Sequence, residues 1–239
     1  MKEKLYQGSS KAIYNSNNEY TFLMYFSDMV RSGNGRILEL AGKGVLNNNI
    51  STFIMTHLDL IGIENHLIEK INMREQLIQC VDVFPVTITV TSVACGRYVT
   101  DIGMEEGYVF DQPIIDYKLR SAKLNYPIIN EYQTLQFGFV TTKEMTEIKI
   151  KALRIYDFLS GLFLCAGIRL VECNLEFGRV FNGDQFITML ADEISPDNCR
   201  LWNMYDNEKM GYELIDIDPN LAIKSYHMIE EMLKIRNNN

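Results

Sequence analysis

The stretch from Leu170 to Trp202 constrains the fold of this chain more than any other. It reads Leu170-Val171-Glu172-Cys173-Asn174-Leu175-Glu176-Phe177-Gly178, then a turn at Asn182-Gly183, then Phe186-Ile187-Thr188-Met189-Leu190 running into Ala191-Asp192. Asn-Gly is the pair best suited to the positive φ angles of a tight hairpin, so two antiparallel strands are predicted around it. Glu176 lies on the outgoing strand and Asp192 ends the returning one. Two carboxylates at one end of a sheet suit a hard divalent cation such as magnesium; the plainer alternative is two solvated acids flanking a hairpin. A two-residue hairpin sets Glu176 opposite Met189, so the acids meet only if the ladder bends or bulges near Ala191.

The remaining chain has to build a core around this hairpin. With 239 residues and 47% hydrophobic content it supports one large domain or two small ones. The formal net charge is -8, from 23 Lys and Arg against 31 Asp and Glu. A nucleic-acid binder shows the reverse balance, so that class is set aside. Met1-Lys2-Glu3-Lys4 leads into strand-like sequence without the apolar core of a signal peptide. The longest apolar run, Phe158 to Ile168, is too short to cross a bilayer. Five scattered Cys without metal-ligand spacing are expected as buried thiols in a reducing compartment. A soluble cytoplasmic protein with no membrane partner is the expectation.

Taken in order, Leu5 to Tyr14 predicts a hairpin about Gly8-Ser9-Ser10. Such a small-residue turn followed by Lys11 can lie over phosphates, because its amides approach closely and the ammonium adds charge. Tyr20 to Phe26 is the next strand. Ser32-Gly33-Asn34-Gly35-Arg36 and Gly42-Lys43-Gly44 fit neither a dinucleotide fingerprint nor a P-loop. Asn49 to Ile61 predicts an amphipathic helix. Val86, Ile88 and Val90 alternate with Thr87, Thr89 and Thr91, giving a strand with an apolar face and a threonine face; Pro85 marks its entry or a sheet edge. Asp111 to Asn130, with Pro113 and Pro127, reads as an irregular, site-lining loop. Thr141 with Glu144 is a capping box opening a helix that runs to Gly167. Asp218-Pro219 opens the last helix, whose Leu221, Tyr226, Ile229 and Leu233 are expected as core. No His has metal-ligand spacing and no nucleophile stands beside a base, so zinc sites and hydrolytic triads lose support.

Several blocks together resemble the SAICAR synthetase family, the phosphoribosylaminoimidazole-succinocarboxamide synthases. They are Leu5-Tyr6-Gln7-Gly8, Lys43-Gly44-Val45-Leu46-Asn47-Asn48, Gly103-Met104-Glu105-Glu106-Gly107 and Pro127-Ile128-Ile129-Asn130-Glu131. The densest are Leu175-Glu176-Phe177-Gly178 and Ala191-Asp192-Glu193-Ile194-Ser195-Pro196-Asp197, followed by Arg200-Leu201-Trp202. The resemblance implies an α+β fold of two parts: an N-terminal antiparallel sheet, residues 1–84, as a nucleotide-binding lobe, and a larger α+β part, residues 85–239, for substrate and metal, with a nucleotide cleft between them. It implies an ATP-dependent ligase joining the carboxylate of carboxyaminoimidazole ribonucleotide to the amine of L-aspartate, with ATP and magnesium (Mg2+) as cofactors. Glu176 and Asp192 would hold the metal, with Gly8, Lys11 and Glu176 at the ATP. Arg97, Ser195 and Arg200 would bind the ribotide substrate, and Glu172 and Asp197 would be catalytic. The substrates are the expected partners; assembly into a homo-oligomer is compatible with this.

The chain departs from the family pattern at other positions. Ser9 stands where a first lysine is expected, and Thr87, Thr91 and Arg97 replace a Glu, an Arg and a Ser. Asn174 replaces a lysine, Asn34 replaces a loop acid, and Tyr126 replaces the acid before Pro127. These losses fall on the side of the anionic substrates, where each charge-assisted contact is worth about 1.5–3 kcal/mol. They leave open a second reading: an inactive or repurposed relative that binds nucleotide or a protein partner without turnover.

Overall fold

In the computed structural model of the protein, residues 3–33 and 35–235 are described; the expectation at Asn34 and the Asn-rich tail beyond 235 fall outside them. The chain groups into two compact units. One comprises Met1–Cys80, Glu193–Arg200 and Glu208–Asn239, the other Val81–Asp192 and Leu201–Asn207. The first unit therefore takes up two segments from the C-terminal half of the chain, which a single cut after residue 84 does not anticipate.

The first unit begins with β1 (Lys4–Gln7), β2 (Lys11–Asn15), β3 (Thr21–Phe26), β4 (Met29–Arg31), β5 (Ile37–Glu39), α1 (Lys43–Leu60), β6 (Leu67–Lys70) and β7 (Glu75–Gln79). Five of these strands form an antiparallel sheet in the order β1-β2-β3-β7-β6, while β4 and β5 pair separately. The predicted first hairpin is present, its turn closed by Gly8 N donating to Lys11 O at 2.8 Å. Met24, Phe26 and Ile78 form the sheet's apolar cluster, flanked by Ile13 and Phe22. Helix α1 starts at Lys43, not at Asn49. Local propensity disfavours helix in the Asn run, but Asn47, Asn48 and Asn49 are buried and find distant partners: Asn48 donates to Asn72 O and Asn49 to Glu230. The helix's first turn is capped from outside, since Asp28 accepts from Gly44 N at 2.9 Å and pairs with Arg74 through two bonds of 2.8 Å.

The second unit carries β8 (Asp82–Val93), α2 (Arg97–Thr100), β9 (Val109–Leu119), β10 (Ile128–Ile129), α3 (Glu131–Gln136), α4 (Thr142–Cys165), β11 (Ile168–Phe181), β12 (Phe186–Ala191) and β13 (Cys199–Asn203), the last straddling the boundary between the units. Its sheet runs β10-β9-β8-β11-β13, with β12 also paired to β11. The segment 111–119, expected as loop, is most of the long strand β9. Its Pro113 is tolerated because the β8–β9 register shifts between Thr91 and Val93, a bulge that needs no ladder N–H there. Pro85 likewise lies inside β8, not at an edge, where the β8–β11 register shifts between Glu176 and Gly178. Helix α4 packs against β8, β11 and β12, and the apolar side chains of the sheet, among them Val86, Ile88, Val90, Cys173 and Leu175, are buried. The expected capping box is formed: Thr141 accepts from Glu144 N and Glu144 accepts from Thr141 N.

The hairpin at 182 differs from expectation. Phe181 pairs with Phe186, so the loop holds residues 182–185, with Asn182 Oδ1 accepting from Asp184 N and Gln185 N. This sets Glu176 opposite Ala191 rather than Met189. The chain then returns to the first unit through β14 (Lys209–Met210) and α5 (Pro219–Met232), whose N-cap is Asp218 as predicted. Of the five cysteines, Cys95, Cys173 and Cys199 are buried, but Cys80 and Cys165 are exposed, against the expectation of five buried thiols. No helix among the described residues is long and apolar enough to cross a membrane.

Candidate active site

Side-chain parity on the second unit's sheet gathers a polar face. Glu172 pairs with Thr91, Asn174 with Thr89 and Glu176 with Thr87 across β11 and β8. Across β8 and β9, Thr87 pairs with Lys118 and Thr89 with Asp116. Directly opposed residues share a face, so carboxylates, threonines and cations from three strands lie together. Thr89 donates to Asn174 Oδ1 at 2.8 Å and Thr91 to Glu172 at 3.3 Å, while Lys118 reaches Asn174 Oδ1 at 3.4 Å. The predicted threonine face is thus not a solvated one: Thr89 and Thr91 are buried.

Ala191, the last residue of β12, is the cross-strand partner of Glu176, and Asp192 follows it just past the end of the ladder. The bend anticipated near Ala191 is a left-handed residue at Asp192, φ 62°, where the strand stops; Asp tolerates this conformation better than most side chains. Glu176 pairs at 2.8 Å with Arg120, just past the end of β9. Arg120 is anchored by its own N–H on Pro85 O, so the irregularity in β8 delivers this guanidinium to the carboxylate. Among the described residues no group of three His, Cys, Asp or Glu is placed to hold a metal alone. Two carboxylates nevertheless fit magnesium, which keeps waters and takes oxygen ligands from phosphates.

Arg97, which stands where a Ser is expected, is engaged by an acid of β9. Its guanidinium pairs with Asp116 at 2.9 and 3.3 Å, and Tyr98 donates to the same carboxylate at 2.6 Å. Burial and this hydrogen bond to Asp116 push the Tyr98 hydroxyl well above its ordinary range.

In the first unit, a pocket of about 400 Å³ is lined by Ser9 and Ser10 of the first turn, Arg31 to Gly33, Asp197, Arg200 and Lys209, among others. Arg200 pairs with Glu213 and lies over the Tyr212 ring. Asp216 accepts from Gly33 N at 2.7 Å, tying the β4–β5 loop to the pocket. Lys11 pairs with the buried Glu193 at 2.8 Å. Ser195 is fully buried, and its hydroxyl accepts from Asp197 N at 3.1 Å, so it shapes the turn that carries Asp197. Asp197 accepts from Lys43 Nζ and from Tyr226 OH, both at 2.6 Å. Burial is the largest single influence and opposes its charge, but the Lys43 ammonium together with the hydrogen bonds from Lys43, Tyr226 and Asn47 outweighs it and holds the carboxyl below its usual range.

The residues missed from the sequence are the partners. Asp116 and Lys118 alternate along β9 and Arg120 continues the pattern just past its end, a period-two signal masked by the prolines on either side. In the sequence Lys43 fails the P-loop pattern and stands in a family block without a role, and Tyr226 reads only as core; Leu221, expected beside it in the core, is exposed.

A model of the SAICAR synthetase family matches residues 4–219. The chain is 61% identical over 234 residues to the phosphoribosylaminoimidazole-succinocarboxamide synthase of Rickettsia felis, covering 98% of this chain and 99% of that protein. Among solved structures it is similar to the protein of the same name from Ehrlichia chaffeensis, with a TM-score of 0.95 and 34% identity over 99% of this chain and 100% of that one. It is also similar to a SAICAR synthetase in complex with ADP, with a TM-score of 0.91 and 28% identity at the same coverage. Matching in sequence and in fold along almost its whole length, the chain belongs to the SAICAR synthetase family.

Proposed function

We propose that this chain is an ATP-dependent carbon–nitrogen ligase that joins the carboxylate of carboxyaminoimidazole ribonucleotide to the amine of L-aspartate, giving SAICAR, ADP and phosphate in purine biosynthesis. The observation that carries this reading is the 61% identity over 98% of the chain to a protein of that name. A carboxylate is a poor electrophile. Transfer of the γ-phosphoryl group to its oxygen gives an acyl phosphate and ADP; the aspartate amine then attacks the acyl carbon, phosphate leaves and the amine gives up a proton. Phosphoryl transfer depends on positioning and charge neutralisation more than on covalent help.

Each group has a task in that scheme. Glu176 and Asp192 hold the magnesium ion, which when bound neutralises phosphate charge and fixes the transferring group. Arg120, paired with Glu176 at 2.8 Å, would share that carboxylate with the ion. Lys11 and the amides of the Gly8 turn face phosphate. Arg200 and Asp197 line the ribotide pocket, with Ser195 behind them. Arg97 and Glu172 belong to the polar face of the sheet, where Lys118 lies within 3.4 Å of Asn174, the position at which a lysine is expected. Cations from β9 thus stand near sites that look neutral in the sequence, and nothing favours the non-catalytic reading.

The test is ADP release by the purified chain. Release that requires both the ribotide and L-aspartate supports the ligase. Binding of Mg-ATP with no turnover on any combination of substrates restores the non-catalytic reading, and turnover without aspartate points to a kinase.

A further inference from the structure

Lys43 has no exposed surface. An ammonium is costly to bury unless it is paired, and a buried ion pair seldom stabilises a fold more than well-packed apolar residues would. A buried lysine paired to a carboxylate that lines a pocket is therefore best explained by what it does to that partner. Asp197 is that partner, and it is gripped from three directions: by Lys43 and Asn47 of α1, by Tyr226 of α5, and through its own N–H by Ser195. Tyr226, like Lys43, is wholly buried. Asp197 itself still lines the pocket with Arg200 and Lys209.

We propose that Lys43 and Tyr226 are positioning residues that lock the Asp197 carboxylate as a fixed, charged acceptor at the pocket wall. Asp197 then receives a hydrogen bond from a donor group of the substrate and does not carry the proton released by the amine. The geometry suits this task. Each oxygen is already held by a strong donor, so the carboxylate cannot swing, and its remaining lone pairs offer acceptors at a set angle. A carboxyl held below its usual range is also a weak base near neutrality. The charged and titratable groups around it are Lys43; Tyr226, itself faced by Glu193 and Tyr212; and, across the pocket, Arg31, Arg200, Lys209, Glu213 and Asp216. The identity of the donor rests on the ligase reading; the locked state of Asp197 does not.

The experiment uses the full chain with Lys43→Met, Tyr226→Phe and Asp197→Asn. In steady-state ADP release, both positioning variants are expected to raise KM for one co-substrate about tenfold or more, with kcat within threefold. The acid limb of kcat/KM should move up by a pH unit or more in Lys43→Met and by less in Tyr226→Phe. A hundredfold fall in kcat at unchanged KM in Asp197→Asn would make Asp197 the proton carrier and overturn the proposal. Carboxyl-labelled aspartate NMR gives a second readout that needs no turnover, with the Asp197 resonance identified by its loss in Asp197→Asn. It should titrate below the ordinary aspartate value of 3.8 in the unsubstituted chain and higher in Tyr226→Phe, which settles the matter even if Lys43→Met does not fold. An Asp197 that titrates at its ordinary value or above, or that does not respond to Tyr226→Phe, overturns it. Absence of ligase turnover in the unsubstituted chain would fail the functional reading while leaving the NMR result to decide this one.

Discussion

At position 176 a carboxylate rests 2.8 Å from the guanidinium of Arg120, so any metal that Glu176 takes competes with an ion pair already made. Replacing Glu176 by Gln removes the charge and keeps the shape. Loss of a charge-assisted contact is worth about 1.5–3 kcal/mol, so Mg-ADP affinity measured by titration calorimetry should fall about 10- to 150-fold. Unchanged affinity would sink the metal assignment. Two positions along, Gly178 is a matter of space. A Cβ there would stand 2.4 Å from Asp82 O and 2.5 Å from Val81 Cγ1, where β8 crosses closest. Gly178→Ala should therefore destabilise by roughly 2–3 kcal/mol in urea unfolding. A stability within error of the parent would show that the strand can give way there. Gly178 reads in the sequence only as part of a motif; its cause lies in a strand some ninety residues earlier.

Among the elements, α4 shows a helix end held from two sides. Thr141 caps it locally, and Glu144 of its first turn pairs with Arg179 on β11. Burial is the largest single influence and works against the Glu144 charge, but the Arg179 bond and charge together with the hydrogen bonds from Thr141 outweigh it and draw the carboxyl down to about 2 from 4.5. A depressed carboxylate stabilises the fold above its unfolded pKa, and that contribution is lost as pH falls through the folded value. The contribution, roughly 2 kcal/mol after allowance for solvent screening, should be complete above about pH 5 and vanish toward pH 2. Glu144→Gln should flatten the slope of stability against pH over that window in acid titrations followed by denaturant unfolding. An unaltered slope would assign the acid sensitivity elsewhere. Thr141→Ala should cost about 1 kcal/mol by loss of the cap. This cap was legible because capping chemistry is local, four residues long. The start of α1 was not, since its Asn run is made helical by Asn72 and Glu230, which are far away in the chain. Nor was β9, whose Pro113 reads as loop until the bulge in its pairing with β8 removes the need for the missing N–H.

For the whole molecule, the two units share one thread: the chain passes from one to the other at Cys80, at Asp192, at Arg200 and at Asn207. Of the two blocks most diagnostic of the family, the one from Ala191 to Trp202 spans two of these crossings, with Asp192 in one unit and Asp197 and Arg200 in the other. A ligand that binds only the folded chain stabilises it by about 2.7 kcal/mol at a hundred times its Kd. ADP with magnesium should accordingly raise the melting temperature by several degrees. ADP with EDTA should raise it by much less, because the phosphates then lack the ion that Glu176 and Asp192 are assigned to hold. Equal shifts with and without the chelator would argue against a metal role for that pair.

Alternation, capping boxes, turn residues and the two signature blocks are properties of a few neighbouring residues. The sequence alone therefore determined most strands, the starts of α4 and α5, and the family. Register and partnership are not local. Whether Glu176 faces Met189 or Ala191 depends on how a four-residue loop closes. Whether Lys43 meets Asp197, 154 positions away, depends on α1 and the 193–200 turn folding into one unit. Only the tertiary structure decided those, because a buried charge finds its partner by packing, and packing joins residues that the chain keeps apart.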